Sequence, residues 1–364
     1  MNEIKKKTIS TICCLSLCCC GVLAYIDSSG KKMQDQDEEL YLGIDIGGTS
    51  IKMRLFTSKG KRLEEERRVL IDPNASPEEV VKSITTEAAN FKHYQKIKSI
   101  GVGMPGDIDS DTGIVRFSPN LLKWKNVHLK DLLETSMSRS VYIDNDANVA
   151  TLGAFYLDAD DKVANLVCIT LGTGIGGGLV FNKKLYRGSS GSAGEVGHIT
   201  IESQGPKCNC GNKGCVEAFI GDRYFTKYAQ DYLKNNPSKI INELTGESSS
   251  PITPKLLFDA AERGDEVAKK MWVYYGEKLG ILLADIINFV NPDTIVLCGG
   301  FSKSSKYFMP SVHKEVKSRA FRSAVKTCKI VVSQHTSELG TIGAAMLAKE
   351  GIVNNDKLDR TDSL

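Results

Sequence analysis

The chain has 364 residues, 41% hydrophobic and 25% charged, with a formal net charge of +3. A length of this order suggests two domains and a core that needs no disulfide staples. Basic and acidic residues are interspersed, which argues against a nucleic-acid or acidic partner.

The eleven cysteines fall unevenly. Cys13, Cys14, Cys18, Cys19 and Cys20 lie near the start, Cys208, Cys210 and Cys215 form a tight group, and Cys168, Cys298 and Cys328 stand alone in or beside apolar runs. This is not the pattern of a secreted disulfide framework. It suits a reducing compartment and one metal site.

Lys5, Lys6 and Lys7 precede an uncharged run, residues 8–26, and Asp27 ends it. A basic start before an apolar run has the form of a signal anchor. Three readings stand: a membrane anchor, a palmitoylated tether, or a start at Met33 that leaves this segment untranslated. Residues 27–40 read as a linker. The catalytic part is expected in the cytoplasm.

Tyr41–Ile46, Ile51–Phe56 and Arg67–Ile71 read as a three-stranded meander. Its glycine turn is Asp45-Ile46-Gly47-Gly48-Thr49. Glycines let backbone amides approach phosphate oxygens, Thr49 adds a hydroxyl, and Asp45 suits Mg²⁺. An ordinary hairpin turn is the plain alternative. Ser76-Pro77-Glu78-Glu79 predicts a capped helix start, and Val80, Ile84, Ala88 and Phe91 give that helix an apolar stripe.

Ser99–Gly103 and Val141–Ile143 are further strands. The second runs into Asp144-Asn145-Asp146-Ala147-Asn148 and a helix from Ala147 to about Leu157. Carboxylates at a strand-to-helix junction sit at the mouth of an α/β cleft. A sugar hydroxyl is a poor nucleophile until a base takes its proton. Asp146 is the candidate base and Asn145 the candidate positioner; helix capping by Asp144 or Asp146 is the alternative.

Asn165–Leu171 and Gly178–Phe181 flank Leu171-Gly172-Thr173-Gly174-Ile175-Gly176-Gly177-Gly178. Gly172, Gly174 and Gly177 match a dinucleotide fingerprint in spacing, but a strand follows them where that motif requires a helix. No Walker loop is present. The two glycine turns form a weak internal repeat, which suggests duplicated α/β domains facing each other across a cleft. Beyond residue 216 the pattern is largely helical, with Glu266–Val290 strongly periodic. Thr294–Cys298 is a buried-type strand closed by Gly299-Gly300, Ile330–Val332 is a late strand, and Leu339–Ala348 is a last helix.

The sharpest motif is Gly194-Glu195-Val196-Gly197-His198, then Cys208-Asn209-Cys210 and Cys215-Val216-Glu217. One histidine and three cysteines make a closed tetrahedral set, which points to a structural Zn²⁺. Glu195 and Glu217 are left over, and carboxylate acceptors suit a polyhydroxylated ligand.

Together these motifs resemble those of the ROK family of sugar kinases and repressors. The resemblance spans roughly Leu42 to Ala348, with Pro119-Asn120 added to the runs above, and Lys184-Leu-Tyr-Arg-Gly188 looks most like bacterial glucokinases within it. It implies an α/β, actin-like ATPase (ribonuclease H-like) fold with two α/β domains around a nucleotide/sugar cleft. The expected division is a leading segment 1–40, a small domain 41–150 completed by about 336–350, a large domain 151–335 with the metal motif, and a polar tail 351–364.

By the same resemblance, Asp146 takes the proton from a hexose 6-hydroxyl, while Asn120, Asn145, Glu195, His198 and Glu217 hold the sugar. Asp45, Gly47, Gly48, Thr49, Lys52, Gly172, Thr173 and Gly174 surround the ATP phosphates and Mg²⁺. Gly299 and Gly300 lie near the adenosine, and His198, Cys208, Cys210 and Cys215 hold zinc. Glucose is the leading substrate, with N-acetylmannosamine, N-acetylglucosamine, mannose and fructose as alternatives. A homodimer is expected. Gly106-Asp107 and the extra leucine after Asn120 depart from the usual pattern near the sugar. A sugar-sensing protein and a repressor are the other readings; the repressor calls for an amino-terminal helix-turn-helix.

Overall fold

The computed structural model describes residues 38–246 and 251–361, with side chains through residue 353. The apolar segment 8–26 lies outside the described residues. Among those described, no helix is long and apolar enough to cross a membrane.

The chain opens with β1 (Leu40–Ile46), β2 (Ser50–Thr57) and β3 (Arg67–Leu70), then α1 (Pro77–Ala88). The predicted capping box forms: Ser76 N–H donates to Glu79 Oε2 at 2.7 Å, and Glu79 N–H to Ser76 Oγ at 3.2 Å. The helix buries Val80, Val81, Ile84 and Ala88. Next come β4 (Ile97–Met104), the short strands β5 (Asp107–Asp109), β6 (Ile114–Phe117) and β7 (Lys125–His128), α2 (Leu129–Met137), β8 (Ser140–Asn145) and α3 (Asp146–Leu157). The second half brings β9 (Leu166–Leu171), β10 (Ile175–Phe181), β11 (Lys184–Tyr186), α4 (Glu217–Ile220), α5 (Asp222–Asn235), α6 (Lys239–Thr245), α7 (Pro254–Glu262) and α8 (Glu266–Val290). It closes with β12 (Thr294–Cys298), α9 (Ser305–Arg319), α10 (Arg322–Thr327), β13 (Lys329–Val332) and α11 (Leu339–Thr361). The last helix therefore runs past Ala348 into the segment expected to be a polar tail.

One topology occurs twice. The first sheet has the order β3-β2-β1-β4-β8 and the second β11-β10-β9-β12-β13. In each, an antiparallel meander is followed by two parallel strands. The faint repeat between the two glycine turns is thus a repeat of whole sheets. The short strands β5, β6 and β7 form a third sheet that the sequence pattern did not suggest.

The core follows from burial. β12, Thr-Ile-Val-Leu-Cys, is buried at every position, as a strand covered on both faces must be. Its Ile295 and Leu297 pack with β9 against Trp272, Tyr275 and Leu279 of α8 and Phe308 of α9. On the first sheet, α11 lies directly on β1 and β4. A methyl group on Gly43 would sit 1.8 Å from Thr341 O, and one on Gly101 would sit 1.8 Å from Ala344 O. Glycine is required at both positions because backbone meets backbone there. The same helix packs along α3, which also touches β9 and β10.

Candidate active site and metal-ligand cluster

The parallel strands end where the glycine turns begin, and a cavity of about 570 Å³ opens there. Ten of the residues singled out in the sequence line it: Asn145, Asp146, Gly172, Thr173, Gly174, Glu195, His198, Glu217, Gly299 and Gly300. Asp45, Gly47, Gly48, Thr49, Lys52 and Asn120 lie outside this lining. A methyl on Gly48 would fall 3.2 Å from Asn120 Nδ2. Asp45 is near enough to Asp146 to disturb its charge.

Asp146 begins α3, at the junction with β8. Asn145 caps the helix, its Oδ1 accepting Ala147 N–H at 2.8 Å. Asn145 Nδ2 donates to Gly106 O at 3.1 Å, so its amide is committed to backbone on both sides and pins the Gly106 loop beside Asp146. Asp146 Oδ1 also accepts from Ala147 N–H, at 2.9 Å. The Asp146 side chain is exposed to the cleft, while protein atoms crowd its other sides and strip part of its hydration. That desolvation pushes its pKa up to about 6, Asp45 and Glu195 add repulsion, and the Ala147 amide opposes. A carboxylate with such a pKa is ionised at neutral pH and is a stronger base than an ordinary aspartate.

Burial likewise raises the Asp45 carboxyl, while Lys52, with Nζ 3.7 Å from Asp45 Oδ2, pulls it down. The first turn of α11 closes over Asp45: a methyl on Gly340 would lie 2.7 Å from its carboxyl carbon. In the second glycine turn, Gly172 N–H donates to Gly174 O at 3.1 Å. Two residues at helix starts hold this turn, one by its side chain and one by its backbone. Glu217 Oε2 accepts Ile175 N–H at 2.9 Å, and Asp222 N–H donates to the carbonyls of Gly172 and Thr173 at 3.2 Å. Glu217 therefore both lines the cavity and shapes the turn. Gly299, at φ 92°, makes the third turn against Leu171.

His198 ends a single 3₁₀ turn, Val196–His198. Its Nδ1 lies 3.8 Å from Cys208 Sγ, and Cys210 Sγ lies 3.7 Å from Cys215 Sγ. The four ligand atoms all fall within 4.8 Å of one another. A tetrahedral ion with metal–sulfur bonds of about 2.3 Å sets sulfur ligands about 3.7 Å apart, so the donor set fits such an ion. Burial and the neighbouring sulfurs push the Cys215 thiol up to about 12, and a cation at the centre would reverse that. Gly211 and Gly214, at φ 96° and 73°, make the bends that bring the cysteines round. The other ring nitrogen of His198 faces the cavity, 3.9 Å from Glu195 Oε2.

Sequence reasoning passed over several lining residues. Asp107, which follows Gly106 where the sequence departs from the usual pattern, has its carboxylate held by Arg116 Nη1 at 3.0 Å. Ser192 and Ala193 carry no chemical signature. Asp144, read only as a capping candidate, is a buried acid that Arg187 reaches from the other sheet.

Comparison with known proteins agrees with this geometry. The model of the ROK family matches residues 41–351. A glucokinase of Thermotoga maritima is 34% identical over 311 residues, 85% of this chain and 98% of that one. The crystal structure of a ROK family glucokinase from Streptomyces griseus in complex with glucose and AMPPNP superposes with a TM-score of 0.72 at 30% identity, covering 85% of this chain and 99% of that one. The DNA-binding transcriptional dual regulator NagC of Escherichia coli is 26% identical over 86% of this chain and 76% of its own length. The chain belongs to the ROK family and has the actin-like ATPase fold of its sugar kinases.

Proposed function

We propose that the protein is a sugar kinase that transfers the γ-phosphoryl group of ATP to the 6-hydroxyl of a hexose, with glucose as its main substrate. The observation that carries this reading is Asp146, a base with a pKa of about 6 lining the same cavity as the Gly172–Gly174 turn. Asp146 takes the proton of the 6-hydroxyl as that oxygen bonds to the γ-phosphorus and the bond to ADP breaks. The Gly47–Gly48 and Gly172–Gly174 turns lie against the phosphates, their lack of side chains allowing close approach, with Lys52 nearby and Gly299-Gly300 beside the adenosine. Glu195, His198, Glu217, Asn120 and Asn145 orient the sugar, and positioning of this kind supplies most of the catalysis in phosphoryl transfer.

Asp45 would hold Mg²⁺, which neutralises phosphate charge when bound. His198, Cys208, Cys210 and Cys215 would hold a structural Zn²⁺, fixing the loop that carries Glu195 and Glu217. The two repeated sheets support a division into lobes at 41–150 with about 336–350, and 151–335. A cytoplasmic homodimer fits the same reading.

The glucokinase relatives favour glucose over N-acetylated hexoses, mannose and fructose. ADP release coupled to a hexose panel tests this. Glucose is expected to give the highest kcat/KM; turnover with an N-acetylated hexose alone would keep the chemistry and overturn the substrate.

A further inference from the structure

Asp144 precedes the Asn145-Asp146 pair and is only 2% exposed. Its Oδ1 accepts Asn145 N–H at 2.8 Å and Asn148 Nδ2 at 2.9 Å. Its Oδ2 meets Arg187 Nε at 2.6 Å. Asp144 belongs to β8 of the first sheet, whereas Arg187 follows β11 at the edge of the second. The Arg187 carbonyl accepts Ala193 N–H at 3.0 Å, which closes the loop whose next residues, Ala193 to Glu195, line the cavity. Arg187 thus holds the strand end that carries the base through its side chain, and the Glu195 loop through its backbone.

We propose that Arg187 is a positioning residue for the transfer: its clamp on Asp144 sets Asp146 against the Glu195 loop and cancels a buried negative charge two residues from the base. The inference rests on the reading of Asp146 as that base. A buried carboxylate stripped of its partner is strongly unfavourable, and an uncompensated acid raises the pKa of a neighbouring one. The surroundings of Asp146 are already acidic. Asp45 of β1 faces it with Lys52 of β2, and Glu195, His198, Glu217 and Asp107 line the same cavity. Glu350 of α11, bonded to Tyr156 at 3.2 Å, is a second acid that senses Arg187. Lys349 and Lys184 also act on Glu350, and Arg187 is the cation bonded directly to Asp144.

The test is the pH dependence of kcat, with KM and Tm, for the full chain and for Arg187→Ala, Arg187→Lys, Asp144→Asn and the double variant Asp144→Asn/Arg187→Ala. In Arg187→Ala the acid limb of kcat is expected to move up by about one pH unit, the scale on which one uncompensated neighbouring charge acts. Removing the orphaned charge in the double variant returns the limb to its original place. Arg187→Lys, which keeps the charge but loses the planar Nε donor, keeps the limb and lowers kcat. A limb that stays put in Arg187→Ala while Tm falls would reduce Arg187 to a structural role and overturn the inference. If Arg187→Ala does not fold, a shifted limb in Arg187→Lys overturns it equally. Full turnover by Asp146→Asn would instead overturn the base reading, and this inference with it.

Discussion

His198 and Cys208 stand 3.8 Å apart, Nδ1 to Sγ, so one imidazole belongs to the four-ligand cluster with one nitrogen and faces Glu195 with the other. The cluster and the cavity share a residue. Damage to the cluster is therefore expected to reach the sugar.

Cys210→Ser changes an exposed member of the proposed zinc set. It is expected to lose bound zinc, lower Tm and raise the KM for the sugar more than that for ATP. Metal content measured with the melting curve and both KM values checks this. A zinc-free variant with unchanged Tm would count against a structural metal.

Asp146 carries a stability cost that its replacement should relieve. Its pKa is raised in the folded chain to about 6 from an ordinary 3.8. Between those values the folded state binds more protons than the unfolded one, so this group's effect on stability becomes less favourable as pH rises from about 4 to about 6 and then levels off. Asp146→Asn is expected to melt higher than the parent at pH 7.5, with the gap closing near pH 4. Melting curves across that range test it, and a variant that melts lower at every pH would contradict the assignment. Active sites commonly hold such strain.

A methyl group on Gly174 would sit 2.5 Å from Glu217 Oε2. That oxygen is the flexible end of a carboxylate and will give way, losing its bond to Ile175 N–H. Gly174→Ala should fold and raise KM for ATP and sugar by about tenfold, the value of one charged hydrogen bond. Unchanged kinetics would detach Glu217 from the turn.

Gly101 presents the opposite case, since a methyl there meets the Ala344 carbonyl, which belongs to packed helix backbone. Gly101→Ala is expected to destabilise by about 3 kcal/mol or more as α11 is forced off β4. Urea denaturation against a surface control such as Lys82→Ala checks it.

The glycine turns, the capping box at Ser76 and the Cys/His cluster were legible because each rests on local spacing and narrow chemistry. Glu266–Val290 was legible to the residue because its 3.6-residue period is long and sustained. The third sheet was not, since β5, β6 and β7 have only three or four residues and carry Asp107, Asp109, Arg116 and Lys125 among them. No alternation survives in strands that short. The pairing of Asp144 with Arg187 spans 43 residues and two sheets, and nothing local announces it. Glu217 was singled out for its chemistry, but its bond to Ile175 depends on α4 meeting the glycine turn in space.

The central claim is that Asp146 activates a sugar hydroxyl for attack on ATP. ADP release by the purified full chain, with ATP, Mg²⁺ and glucose, beside Asp146→Asn, tests it most directly. The account predicts glucose-dependent turnover in the parent and a loss of about 10²–10⁴-fold in kcat in the variant, with KM for ATP little changed. Equal turnover in both, or none in a folded, zinc-loaded parent with any hexose, would contradict it.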